Sequence, residues 1–222
     1  MNIKNNIYSI LNSIPKSVSL VAVSKTKSVS AILEAYNTGQ RAFGENKIQE
    51  MADKYLELPK DIEWHMIGHL QSNKVKYMAH FVHLIHGVDS FKTLKEINKQ
   101  ALKHNRVIDC LLQLKIAKED TKFGLSIADV EKIITSEEFI ALKHINIKGF
   151  MGMATFTEDE TIIRSEFKTL QHIFSTFQKS NIHNFNPSII SMGMSSDYKI
   201  AIEEGSTMIR VGSSIFGERN YI

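Results

Sequence analysis

What most constrains this chain is an alternation repeated eight times. Short, nearly continuous apolar runs are separated by stretches with helical spacing of apolar residues. The runs read as strands at Leu20–Lys25, Arg41–Glu45, Trp64–Gly68, Val82–Val88 and Val107–Ile116, then within Ile145–Met153, at Ser188–Gly193 and at Met208–Gly217. Helices are expected over Val29–Thr38, Ile48–Leu56, Asn73–Ala79 and Ser90–His104, then Ile127–Ser136 with a further turn before Leu142, Asp159–Lys179 and Asp197–Glu204. Runs that are apolar on both faces must be covered on both sides, and strand–helix alternation gives parallel βαβ units. Eight such units predict an α/β fold, a single (β/α)8 TIM barrel. A doubly wound sheet competes, but it usually has fewer strands and a glycine-rich turn after the first. Here that turn is "SKTKS", without glycine. The segment Ile3–Asn12 reads as an extra N-terminal helix closing the lower end of the barrel.

The 222 residues, 43% hydrophobic, suit one core better than two, so residues 1–222 are expected to form a single domain. No apolar run approaches the ~20 residues that span a bilayer, and the N-terminus lacks a secretory pattern. Cys110, the single cysteine, excludes an internal disulfide framework and reads as a core residue. A cytoplasmic protein without a membrane partner is expected. The formal charge is only +3, with lysines spread out as in "LKEINKQALKHNR", which argues against nucleic acid as a partner. No seam for self-association is readable, and a monomer is expected.

TIM barrels carry their chemistry at the C-terminal ends of the strands, often with a phosphate site after strands seven and eight. Phosphate needs exposed backbone N–H groups, glycines for close approach and hydroxyls. "GMSSD" supplies Gly193, Ser195 and Ser196, and "VGSS" supplies Gly212, Ser213 and Ser214. Either loop alone reads equally as an ordinary turn with serine caps. Both together, at those two ends, point to phosphate. Lys25 ends the first run. It could simply reach into water, or it could serve as a Schiff-base amine whose proton is displaced by burial or a neighbouring cation. Lys27 lies two residues on and shares its face if the strand continues. A lysine for an aldehyde and a backbone cradle for a phosphate, in one barrel mouth, suit pyridoxal 5′-phosphate (PLP). Arg210, two residues before Gly212, could face the pyridine nitrogen and weaken the ring as an electron sink, or pair with a helix carboxylate. A phosphate-binding barrel without PLP leaves Lys25 unused.

"HFVHLIHG" repeats histidine every third residue, His80, His83 and His86, and His65 and His69 are four apart. Along a strand, His80 and His83 point to opposite faces, so these histidines read as packing or exposed residues and no metal site is expected.

The motifs "VAVSKTK", "FGEN", "WHMIGHLQSNK", "SMGMSSD" and "RVGSSIFG" also carry a resemblance. In order and spacing, over nearly the whole chain, they resemble the PLP homeostasis proteins, whose barrel is like the N-terminal domain of bacterial alanine racemase. The resemblance implies PLP held as a Schiff base on Lys25, Arg210 near the pyridine nitrogen, Ser195, Gly212 and Ser213 at the phosphate, Asn46 in the pocket, and Lys27 assisting PLP handling. It implies a carrier or regulator of intracellular PLP (vitamin B6) without established catalysis, and PLP-dependent apo-enzymes as partners. Three positions depart from the family pattern: Ser28 replaces a common proline, Ser196 an acidic residue and Ser213 a frequent threonine. The alternative is a PLP-dependent amino-acid racemase-like enzyme. Such racemases add a second domain and an opposing tyrosine. The chain is expected to lack the domain, and Tyr198 and Tyr221 are the nearest candidates for the tyrosine.

Overall fold

The computed structural model describes residues 2–117, 124–180 and 182–218. Eight strands are hydrogen-bonded in chain order and close on themselves: β1 (Ser19–Val23), β2 (Ala42–Glu45), β3 (Glu63–Met66), β4 (Leu84–Val88), β5 (Ile108–Gln113), β6 (Ile145–Met151), β7 (Phe185–Ser191) and β8 (Met208–Val211). All neighbours are parallel, and β8 returns to β1 with Leu20 opposite Ile209. The (β/α)8 barrel expected from the alternation is the fold.

Helices α1 (Ile3–Ser13), α2 (Val29–Tyr36), α3 (Ile48–Glu57), α4 (Phe91–Lys103), α5 (Ile127–Ile134), α6 (Glu137–Ile140), α7 (Glu160–Phe177), α8 (Tyr198–Glu203) and α9 (Ser213–Phe216) surround it, with a 3-10 turn at Ser72–Tyr77. Their starts follow capping chemistry. Ser90 caps α4, Asp159 caps α7, and Ser126 with Asp129 forms a reciprocal box on α5. Ser28, where the family pattern has proline, caps α2 by accepting from the Ala31 N–H.

Several expected boundaries move. β1 ends at Val23, so Lys25 lies in the loop beyond it. The eighth run splits at Gly212 into β8 and α9. β7 begins at Phe185 and runs through Pro187, because a register shift against β6 passes over the residue that has no N–H to give. Helix α1 does not close the lower end. It packs against α2 and α9, and Asn6 Nδ2 donates to the Ile215 carbonyl at 2.9 Å, so it joins the outer layer.

Period-two alternation divides each strand between two cores. Leu20, Ala22, Phe43, Trp64, Ile209 and Val211 face outward into the large cluster beneath the helices. Val21, Leu84, Leu111, Met151 and Met208 form a smaller cluster inside the barrel, and Cys110 is buried in the outer core. One step further along the same inward rows the interior turns polar: His86 follows Leu84, Gln113 follows Leu111 and Arg210 follows Met208.

Candidate functional site

A cavity of about 800 Å³ opens at the C-terminal ends of the strands. Lys25, Lys27, Asn46, Ser195, Ser196, Arg210, Gly212, Ser213 and Ser214 all line it, so the structure gathers these expected residues around one space, while Gly193 does not line it. Val23, Ile67, Met153, Phe156 and Met194 give it apolar walls. Among the described residues its lining holds Lys25, Lys27, Arg210 and the imidazole of His69, and no carboxylate.

The loop that carries Lys25 is held in an uncommon conformation. Thr26 has φ +64°, the left-handed region that a β-branched residue seldom occupies. Such strain costs of order 1–3 kcal/mol and persists only where the surroundings impose it. Here the Thr26 N–H donates to Glu50 Oε1 at 2.6 Å, and the Lys27 N–H donates to the Ser24 carbonyl at 3.0 Å. Beneath them Lys54 Nζ donates to the Ser24 carbonyl (2.8 Å), Glu45 Oε1 (2.8 Å) and Glu50 Oε1 (2.7 Å), and the Ser24 hydroxyl donates to Glu45 Oε1 at 2.6 Å. Burial pushes the Glu45 carboxyl above its usual range, while Lys54 and Ser24 pull it down. The strand does not continue past Ser24, so Lys25 and Lys27 are not two residues on one strand face as expected. Lys27 Nζ instead donates to the carbonyls of Phe216, Gly217 and Glu218, each at 3.0 Å, tying the first loop to the end of the last helix.

Opposite, Arg210 is buried and anchored from below. Its Nη1 donates to the Ser191 carbonyl (2.7 Å) and hydroxyl (2.6 Å), and its Nη2 to the Gly152 carbonyl (3.0 Å). Burial lowers the guanidinium to about 10, opposed by the charge of Asp197. The Ser191 hydroxyl also lies 3.0 Å from His86 Nδ1, and His86 Nε2 lies 2.9 Å from His65 Nδ1. Arg210, Ser191, His86 and His65 thus form one hydrogen-bonded line down the barrel interior.

The two serine loops form a third wall. Ser195 Oγ accepts from the Gly212 N–H (3.2 Å) and the Ser214 N–H (3.4 Å). The backbone N–H groups of Ser196 and Ser213 donate to no protein acceptor among the described residues. Gly193, with φ +94°, turns the chain there, and a Cβ on it would lie 2.7 Å from Ala201 Cβ and 2.9 Å from Tyr198 Cα. At the second loop, a Cβ on Gly68 would lie 2.4 Å from the Asn46 carbonyl oxygen, so only glycine lets the end of β3 run against Asn46. Tyr198 is half-buried against the outer core and does not line the cavity; Tyr221 lies outside the described residues.

Sequence reasoning missed the supports. Ser24 comes from the loop after β1, Glu45 from β2, and Glu50 and Lys54 from α3. The available signals were a carboxylate inside the apolar "AFGE" run and the Glu50–Lys54 spacing of four.

The fit to PLP can be judged from these groups. A phosphate needs uncommitted N–H donors and positive surroundings, an aldehyde needs an amine, and a flat ring needs apolar walls. The cavity provides each.

Comparison with known proteins agrees. The family model described as "Alanine racemase, N-terminal domain" matches residues 1–220. The "Pyridoxal phosphate homeostasis protein" of Aquifex aeolicus is 38% identical over 203 residues, covering 91% of this chain and 87% of that one. The protein of the same name from Escherichia coli K12 is 34% identical, covering 93% and 88%. Among solved structures, PipY of Synechococcus elongatus with PLP bound superposes with a TM-score of 0.88 at 34% identity, covering 97% of this chain and all of that one. Alanine racemase of Clostridium difficile shares the fold, with a TM-score of 0.80 at 13% identity, and this chain spans 60% of it.

Proposed function

This chain belongs to the alanine racemase N-terminal-domain family, among its pyridoxal phosphate homeostasis proteins, and from that premise we propose that it holds PLP in the upper cavity as a carrier or regulator of intracellular PLP. The observation that carries the reading is the cavity lining: among the described residues it holds Lys25, Lys27 and Arg210, no carboxylate, and a rim of serine hydroxyls with the unengaged N–H groups of Ser196 and Ser213. Bound PLP supplies an aldehyde that reacts with amines and a ring that withdraws electrons. The chain's residues then divide the work. Lys25 Nζ would supply the amine for the aldehyde. The N–H groups of Ser196 and Ser213, with the Ser195 hydroxyl and the open approach at Gly212, hold the phosphate. Asn46 borders the ring. Arg210, fixed by three hydrogen bonds and retaining its proton, presents a cation rather than a carboxylate to the pyridine nitrogen. That choice favours holding the cofactor over using it as an electron sink, which supports a carrier or regulatory role. Lys27, parked on three carbonyls within reach of the cavity, is a second amine for the aldehyde during transfer to apo-enzymes.

The test is a titration of the purified chain with PLP, followed by its visible absorption. A band that forms at one equivalent, disappears with borohydride and is absent in Lys25→Ala is expected. A Lys25→Ala protein that develops the same band would overturn the assignment.

A further inference from the structure

The lower end of the barrel holds a second cluster of chemically competent groups. Glu63 begins β3 and His65 follows on the same inward row. His83 precedes β4, where its N–H donates to the Trp64 carbonyl at 2.8 Å. The expected run Val82–Val88 starts only at Leu84 in the structure, so His83 precedes the strand, and its ring turns toward β3. Its ring stacks beside His65 with centroids 5.5 Å apart and planes 23° apart. One ligand atom from each of Glu63, His65 and His83 lies within 4.8 Å of the others.

The second observation is an orphaned nitrogen. His65 is 2% exposed, its Nδ1 is engaged by His86, and its Nε2 has no hydrogen-bond partner. A buried imidazole nitrogen without a partner is unfavourable unless something binds it. We propose that Glu63, His65 and His83 form a binding site for a divalent transition-metal ion of the zinc type, at the end of the barrel opposite the PLP cavity.

Two imidazoles and one carboxylate are a zinc donor set, with water as the fourth ligand; calcium and magnesium select oxygen ligands. Zinc bonds of about 2.1 Å put tetrahedral ligands roughly 3.4 Å apart, so the cluster must tighten. The exposed Glu63 and His83 side chains can do so while buried His65 stays fixed. Its outer partner suits the role as well. A metal on Nε2 requires the proton on Nδ1, where it donates to His86 Nε2. His86 then donates from Nδ1 to the Ser191 hydroxyl that also receives Arg210. A metal would thus fix the tautomers of the whole line up to the cavity.

The experiment uses the untagged full chain after chelator treatment, titrated with Co²⁺ and then Zn²⁺. The inference predicts one equivalent of Co²⁺ with the intense visible bands of a tetrahedral site, displaced by Zn²⁺. His83→Ala and Glu63→Gln, both at exposed positions, should each weaken binding at least tenfold while keeping the wild-type urea midpoint. His80→Ala should bind as wild type. Absence of tetrahedral bands, or His83→Ala binding as tightly as wild type, would overturn it. The test is independent of PLP, because Lys25→Ala should bind the metal normally.

Discussion

Replacing Lys54 with methionine examines how the Lys25 loop is held. Lys54 and Glu45 are 8% and 0% exposed and 2.8 Å apart. Removing the cation leaves a buried carboxylate whose other oxygen, Oε2, already lacks a partner. Breaking a buried pair from one side costs about 3–5 kcal/mol, a large part of the 5–15 kcal/mol by which domains are stable. With a urea slope of about 3 kcal/mol per M, the midpoint should fall by roughly 1 M or more. The loss should depend on pH. Glu45 is already raised by burial, and without Lys54 it is raised further. A carboxyl with a raised folded pKa contributes its full stability below the unfolded value and loses it as pH rises, so the Lys54→Met deficit should be greatest at neutral pH and shrink toward pH ~4.5. Lys54→Met with Glu45→Leu should recover most of the stability, because no buried charge is then stranded. It should not recover cofactor retention, since the Ser24 carbonyl keeps only the Lys27 N–H and Glu50, which receives the Thr26 N–H, loses the Lys54 ammonium that holds it. A pH-independent loss below about 1 kcal/mol in the single variant would make this an ordinary surface pair and refute the reasoning.

Other outcomes follow from the same geometry. Gly193→Ala should cost about 1–3 kcal/mol by urea unfolding, from the left-handed backbone and the approach to Ala201, and should weaken PLP binding through the displaced Ser195 loop. Ser195→Ala should keep the fold but lower affinity for PLP and inorganic phosphate by a similar factor, about tenfold, as expected for one hydrogen-bonding group worth ~1.4 kcal/mol; dialysis against each ligand measures this. His65 and His86 are held below the usual histidine range by burial, His65 at about 3, so they remain neutral in the folded chain at pH values where the unfolded chain protonates them. Stability should therefore fall as pH drops from about 6.5, by up to ~1.4 kcal/mol per pH unit for each histidine, and His65→Gln should flatten that slope in chelator-treated protein.

The barrel was legible because eight apolar runs and their spacing leave few alternatives, and the cavity residues because they fall at the run ends. What escaped the sequence was set by contacts between distant segments. The Arg210–Ser191–His86–His65 line draws one residue from each of β8, β7, β4 and β3, and nothing in their spacing along the chain announces it. The end of β1 escaped because the strand-like "VAVSK" leaves the sheet after Val23 and enters a turn with Thr26 in the left-handed region, where its N–H meets Glu50 of α3. Pro187 concealed the start of β7, since only the register shift in its pairing makes that proline tolerable. The strand-face argument for His80 and His83 does not apply, because β4 starts only at Leu84 and a three-residue period speaks of strand faces only where there is a strand.

The most direct measurement is peptide mapping after borohydride reduction of the PLP-loaded chain. The account predicts a single reduced phosphopyridoxyl group on Lys25. A label found mainly on Lys27 or another lysine, or no stable label, would contradict the central claim that the strained first loop exists to present the Lys25 amine.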